Sequence, residues 1–147
     1  MSLLELLAVV GIMGVLSATV AARYGRDVLG NIGVRGQARK LSLGLVEAQR
    51  LAVRSGRLHG VQFAGSLGDA SSWSVVAVGD TGDRTVVDGP FLLSDDYQLT
   101  TNASEILFDF EGNATKAVSI SLVGPNQTWT VDTLTLSGLI DCKKSGS

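Results

Sequence analysis

The sequence predicts an α+β chain: a long N-terminal hydrophobic α-helix packed against a C-terminal antiparallel β-sheet head. Three observations predict it. The first 22 residues hold one charged side chain, Glu5. Residues 34–52 repeat apolar side chains at spacings of four and three. After Gly56 the apolar period becomes strand-like and is broken by clusters of Gly, Asp, Asn and Pro. At 147 residues, the chain is long enough for one domain with a real core.

The first element is the run MSLLELLAVVGIMGVLSATVAA, residues 1–22. As a helix it measures about 33 Å, close to the roughly 30 Å of a bilayer's hydrocarbon core. Ser17 and Thr19 can bond back to their own helix, and Arg23 and Arg26 end the run at an interface. Residues 1–24 are therefore expected to form a transmembrane helix. A signal peptide is excluded, because that needs a basic leader region and a shorter apolar stretch. Taken alone, Arg23 and Arg26 would place the rest of the chain in the cytoplasm. That orientation reverses if a basic leader is cut away before residue 1, and a processed N-terminus is expected for that reason.

Glu5 is the sharper feature. A lone carboxylate in hydrocarbon costs about 2.5–3.5 kcal/mol even on lenient scales. Its cation is either the α-amine of Met1, one turn earlier, or the Met1 amine of a neighbouring chain. In the second case Glu5 sets the register between chains, a well-attested role for a buried charge. Glu5 at the membrane edge, with its head in water, is the plainer alternative.

Residues 25–57 continue as a helix. Val34, Ala38, Leu41, Leu45, Ala48 and Ala52 share one face, and Arg35, Arg39, Lys40, Glu47, Arg50 and Arg54 fall largely off it. Gly56 suits the cap. Gly11, Gly14, Gly25, Gly30, Gly33 and Gly36 weaken the helix at about 0.5–1 kcal/mol each. Over 25–36 the expectation is a flexible or interrupted helix, with a loop between two helices as the alternative.

Residues 58–147 form the expected head. Candidate strands are 58–64, 73–78, 85–87, 91–93, 98–101, 106–110, 117–123, 129–131 and 133–136. Val118, Ile120 and Leu122 alternate with Ser119 and Ser121, as in a half-buried strand. Residues 1–60 carry 8 Lys or Arg against 3 Asp or Glu, and residues 61–147 carry 4 against 11. The first part is thus +5 and the rest −7. Such asymmetry suits attraction between subunits, or simply a basic helix face beside an acidic sheet.

The residue types exclude most chemistry. One histidine, His59, and one cysteine, Cys142, rule out an internal disulfide and a His/Cys metal centre. Nothing marks a nucleophile, so no enzyme and no cofactor are expected. Asp80, Asp83 and Asp88 form the one candidate calcium set, although Asp is also an ordinary turn residue. Asn102, Asn113 and Asn126 begin glycosylation sequons that Asx turns explain equally. Lys143 and Lys144, in a polar tail, are the candidate nucleic-acid contacts, a small footprint beside an acidic head.

Met-Ser-Leu-Leu-Glu at 1–5, the apolar run, Gly14 and Tyr24 resemble the N-terminal helix of type IV pilins and type II secretion pseudopilins. Residues 38–56 and the Phe108-x-x-x-Gly112 turn resemble the H-type pseudopilins and related minor pilins. The resemblance implies a pilin-like fold and a homo-oligomeric helical filament. It implies that a prepilin peptidase removes a leader and that Met1 becomes a methylated N-terminus, with Glu5 serving assembly. It also implies inner-membrane residence and assembly machinery before export into an extracellular, cell-surface filament or a periplasmic pseudopilus. Helix melting near Gly14 comes from the same source. Three variants stay open: a main pilus subunit, a minor H-type pseudopilin of type II secretion, and a DNA-uptake minor pilin. An ordinary membrane-anchored β domain is the alternative outside the family. Ala22 stands where many pilins carry proline.

Overall fold

The computed structural model describes the backbone of residues 3–145 and the side chains of residues 3, 5–20 and 32–145. Helix α1 spans Leu3–Ser55, 53 residues, or about 80 Å. It runs through residues 25–36 without a break, which differs from the interrupted helix the glycines suggested. Their propensity cost is small beside the cost of nucleating a second helix, and from residue 34 onward the head packs against the stripe and holds it helical. At the C-terminal end Gly56 takes φ +69° and donates its N–H to the Ala52 carbonyl at 3.0 Å. That left-handed conformation is the reason glycine stands there.

The head is one antiparallel sheet of eight strands: β1 His59–Ser66, β2 Asp69–Val78, β3 Arg84–Leu92, β4 Gln98–Thr101, β5 Glu105–Phe108, β6 Val118–Val123, β7 Thr128–Thr133 and β8 Ile140–Ser145. The order is β5-β1-β2-β4-β6-β7-β8, with β3 also paired to β2. The second edge of β2 is shared. Its first residues meet β4 through Ala70 and Leu99, and its remainder meets β3 from Ser72 to Val78.

Three expectations about the strands are corrected. The two short strands expected at 85–87 and 91–93 are a single β3. The Asp88-Gly-Pro90 turn signal is absorbed as register shifts against Trp73, Val75 and Val76 instead of a reversal. The strands expected at 129–131 and 133–136 are one strand, β7, that stops at Thr133. The polar tail is β8, hydrogen-bonded along β7 from Thr133↔Ile140 to Thr128↔Ser145. Its alternation is masked by Asp141, Lys143 and Lys144 on an edge strand, where charge guards against unwanted pairing.

The core lies between helix and sheet. Val34, Ala38, Leu41, Leu45, Ala48 and Ala52 are each fully buried, the same six that spacing selects. They meet Val61, Phe63, Trp73, Val75, Ile106, Phe108, Ile120, Leu122 and Val131 from the sheet. A Cβ on Gly44 would stand 2.6 Å from the Trp73 ring, so a bare backbone is what lets the indole lie flat on the helix. Arg35 lies over the Trp129 ring at 5.9 Å and Lys40 over Phe91 at 4.0 Å. Part of the basic helix face is thus taken up by the head's aromatic rings.

The head has two ends along the helix. At the lower end, the loop 93–97 brings the Tyr97 ring to 3.6 Å from where a Gly33 Cβ would be, and the turn after β6 sets Gly124 against Val34. At the upper end, Gln49 Nε2 donates to the Gly112 carbonyl at 2.7 Å and to the Gly138 carbonyl at 3.2 Å. One side chain thereby ties the helix to the β5–β6 turn and the β7–β8 loop.

Candidate functional site

The largest feature the fold leaves unused is the free part of α1. Leu6, Leu7, Val10, Ile12, Met13, Val15 and Leu16 are 56–68% exposed, and they point to every side of the helix. A helix apolar all round belongs in a core or a membrane. So large an exposed apolar surface marks an interaction site. Glu5 lies in the first turn of α1 and is exposed. In this subunit Glu5 has no ion pair among the described residues. Its expected partner, Met1, lies outside the described residues. Thr19 donates its hydroxyl to the Val15 carbonyl at 2.7 Å, so this polar group is satisfied inside its own helix. Among the described residues no helix is long and apolar enough to cross a membrane. The described apolar stretch 5–20 is 16 residues, about 24 Å against the roughly 30 Å of hydrocarbon. Ala22 and the side-chain environments of Gly25 and Gly30 lie outside the described residues. Nothing comes within 4 Å of where a Cβ on Gly11 or Gly14 would stand, so nothing within the described subunit demands glycine at either place.

The calcium candidates do not converge. Asp80 and Asp83 sit in the β2–β3 turn, and Asp88 is on β3 opposite Val75. Each has another task. Asp80 faces Arg57 at 3.8 Å. Asp83 accepts the Thr81 hydroxyl, which holds its carboxyl below the usual range. Asp88 accepts the Gly89 N–H at 2.9 Å. Among the described residues no three His, Cys, Asp or Glu side chains gather to hold a metal.

The nucleic-acid candidates are also occupied in part. Lys143 Nζ lies 2.9 Å from Asp132 and 3.8 Å from Asp141, so its charge is met within the sheet. Lys144 is exposed on β8 opposite Trp129. Cys142 is half-buried on the same strand, across from Val131. His59 is buried, with Nδ1 3.1 Å from the Arg57 carbonyl. The Ser55 hydroxyl lies 3.3 Å from the same nitrogen, so the ring closes the helix-to-strand corner. Of the sequons, Asn102 accepts the Ser119 N–H at 3.1 Å and Asn113 donates to Glu111 at 3.1 Å.

Two charged contacts gave no signal in the sequence. Arg84 grips Glu105 through Nε at 3.1 Å and Nη2 at 2.8 Å, and this fork lowers the Glu105 pKa. Asp132 accepts the Ser119 hydroxyl at 2.6 Å and the Lys143 ammonium, and both lower its pKa. These contacts join residues 11–21 positions apart on different strands, and only the strand pairing brings them together, so no local spacing announces them. A carboxyl depressed in the folded state stabilises above its unfolded pKa, and that contribution is lost as pH falls through the folded value. The chain should therefore hold its melting temperature from neutral pH to about 5 and lose it below about 4. Glu105→Gln and Asp132→Asn should shrink the difference between pH 6 and pH 3, and an undiminished difference in both would refute the assignment.

No protein-family model matches the sequence, and no curated protein does. Solved structures do match. One is the minor pseudopilin EpsH of the type 2 secretion system of Vibrio cholerae, with TM-score 0.64, 14% identity, 78% of this chain and 99% of that chain covered. Another is the type IV minor pilin FimU of Pseudomonas aeruginosa, with TM-score 0.64, 13% identity, and 78% and 93% covered. A second EpsH structure matches with TM-score 0.61 over 81% of this chain, at 12% identity. The fold is pilin-like: one long helix carrying an antiparallel head of the kind seen in minor pilins and pseudopilins.

Proposed function

We propose that the chain is a non-enzymatic structural subunit that polymerises, through the free half of α1, into a type IV pilus-like filament. The observation that carries this reading is the apolar, all-round exposed helix segment continuous with a pilin-like head. Burying one Leu, Ile, Val or Met side chain is worth about 1.5–3 kcal/mol, and this segment presents a long row of them. Side-by-side packing of such helices supplies the driving force. Glu5 then pairs with the Met1 amine of a neighbouring copy and fixes the axial offset. Gly11, Gly14, Gly25, Gly30 and Gly33 are where the helix yields as copies pack. Before assembly, residues 1–22 sit in the inner membrane, and a prepilin peptidase and its assembly machinery deliver a chain beginning at a methylated Met1. The filament lies outside the cell or, for a pseudopilus, in the periplasm.

A second reading, a minor subunit of a type II secretion pseudopilus or of a pilus, is favoured by the particular structural neighbours, which are a minor pseudopilin and a minor pilin. The DNA-uptake variant is disfavoured by the ion pairs of Lys143. N-terminal mass analysis of the native protein, combined with electron microscopy of sheared filaments and counting of their subunits, tests these readings. A methylated Met1 in filaments made mainly of this chain is expected for the main-subunit form. A few copies per filament would assign the minor role, and residues retained upstream of Met1 would overturn the filament reading.

A further inference from the structure

The two ends of the head differ in charge. At the lower end, an open cleft of about 310 Å³ is lined by Asp69, Leu93, Ser94, Asp95 and Tyr97, among others. Asp69, Asp95 and Asp96 are all exposed. None of them forms an ion pair among the described residues, and Asp96 is met only by the Ser94 hydroxyl at 3.1 Å. The loops 64–72, 92–98 and 123–128 of this end carry no Lys or Arg; the cations nearest to them are Lys144, at the end of β8 beside Trp129, and Arg35, which lies over the Trp129 ring.

At the upper end, a second cleft of about 310 Å³ is lined by Gln49, Arg50, Val53, Arg54, Glu111 and Gly112. Arg50 and Arg54 are exposed on successive turns of α1 and form no ion pair among the described residues. The other two arginines of this end are engaged, Arg57 with Asp80 and Arg84 with Glu105. Glu111 shares the cleft and is met by Asn113. Large apolar side chains stand bare beside each cleft. Leu136 is 94% and Phe110 61% exposed above, and Leu92 is 76% exposed below. Such groups are what an interface covers.

Gly33 marks the lower end and Gln49 the upper, 16 residues apart on one unbroken helix, or about 24 Å. The complementary surfaces thus face opposite ways along the helix, so they cannot meet within one copy. Two copies can join them only head to tail, and each union leaves both free ends able to repeat it. A heterologous contact of this kind generates an open stack.

We infer that the acidic lower cleft of one copy, lined by Asp69 and Asp95 with Asp96 next in sequence, docks on the Arg50–Arg54 upper cleft of a second copy, so that the heads stack head to tail. This rests on the filament reading and names the head's own contribution to it. The partner is another copy because the complement of each surface is on the chain itself.

The test uses the full chain in membranes with Cys142→Ser, Ser94→Cys and Val53→Cys, oxidised by a copper catalyst. A disulfide ladder of dimers, trimers and higher species is expected. Arg50→Glu with Arg54→Glu, or Asp95→Lys with Asp96→Lys, should each reduce the ladder by roughly tenfold or more, the scale of close interfacial charge pairs. The chain with all four reversals restores complementarity and should restore the ladder. No ladder, a ladder that stops at the dimer, one insensitive to either reversal, or one not restored by the fourfold chain would overturn the inference. Circular dichroism of each variant shows that the fold is retained, as expected for exposed positions. Filaments without the ladder would sink this inference alone, whereas a ladder without filaments would sink the filament reading alone.

Discussion

Glu5→Ala is expected to leave the head folded and the chain membrane-bound, yet to cut filament yield by an order of magnitude or more. The expectation comes from what Glu5 lacks. It is exposed in the first turn of α1, on a segment whose other large side chains are apolar. When copies bury that segment, an unpaired carboxylate opposes burial by about 2.5–3.5 kcal/mol or more. Alanine removes this cost, so a simple solubility account predicts more assembly for the variant. Register control predicts less, because the neighbouring amine is left without its counter-charge and no longer fixes the offset. The two accounts differ in sign. Sedimentation of sheared filaments, with the melting temperature of the solubilised chain as control, decides between them. Unchanged or increased yield would remove the pairing from the mechanism.

Trp73→Ala should cost about 3–5 kcal/mol, the range for emptying a large buried aromatic site. The indole is 1% exposed, lies on the bare backbone of Gly44 and meets the Phe91 ring at a tilt of 42°, with centres 4.3 Å apart. Removing it opens a void between helix and sheet that the rigid α1 cannot close. Domains of this size have only about 5–15 kcal/mol in hand. The variant should therefore show a much lower urea midpoint and weak accumulation in cells. A loss below about 1 kcal/mol would mean that Phe91 and Leu41 collapse into the space.

The helical half of the fold was legible because its signals are local. The six buried apolar side chains of α1 that face the sheet follow from spacing alone, and Gly56 from its place after the last turn. The sheet was less legible where pairing overrides local chemistry. Gly89 and Pro90 read as a turn, yet β2 holds that segment in a strand. The tail reads as polar because an edge strand carries charge, and only its bonds to β7 make it a strand. Within the candidate site, the apolar surface and Glu5 were visible in the first 22 residues. The clefts were not, since Asp95 and Asp96 gain meaning only from lying at the end opposite Arg50 and Arg54. Gln49 gave no signal either: its partners are 63 and 89 residues away.

The unbroken helix also has a mechanical meaning. In the proposed filament, traction on a head would enter the core through a single polypeptide backbone, with no break in the helix between Leu3 and Ser55 to take up slack. Such a strut cannot stretch elastically by much. It lengthens by unwinding, which adds about 1.8 Å per residue as the rise goes from helical to extended. Residues 25–36, with four glycines, resist unwinding least. Melting residues 25–32, short of the contacts that Gly33 and Val34 make with the head, would release roughly 14 Å. In such a filament the glycines that cost the resting subunit stability would act as a built-in extensible link.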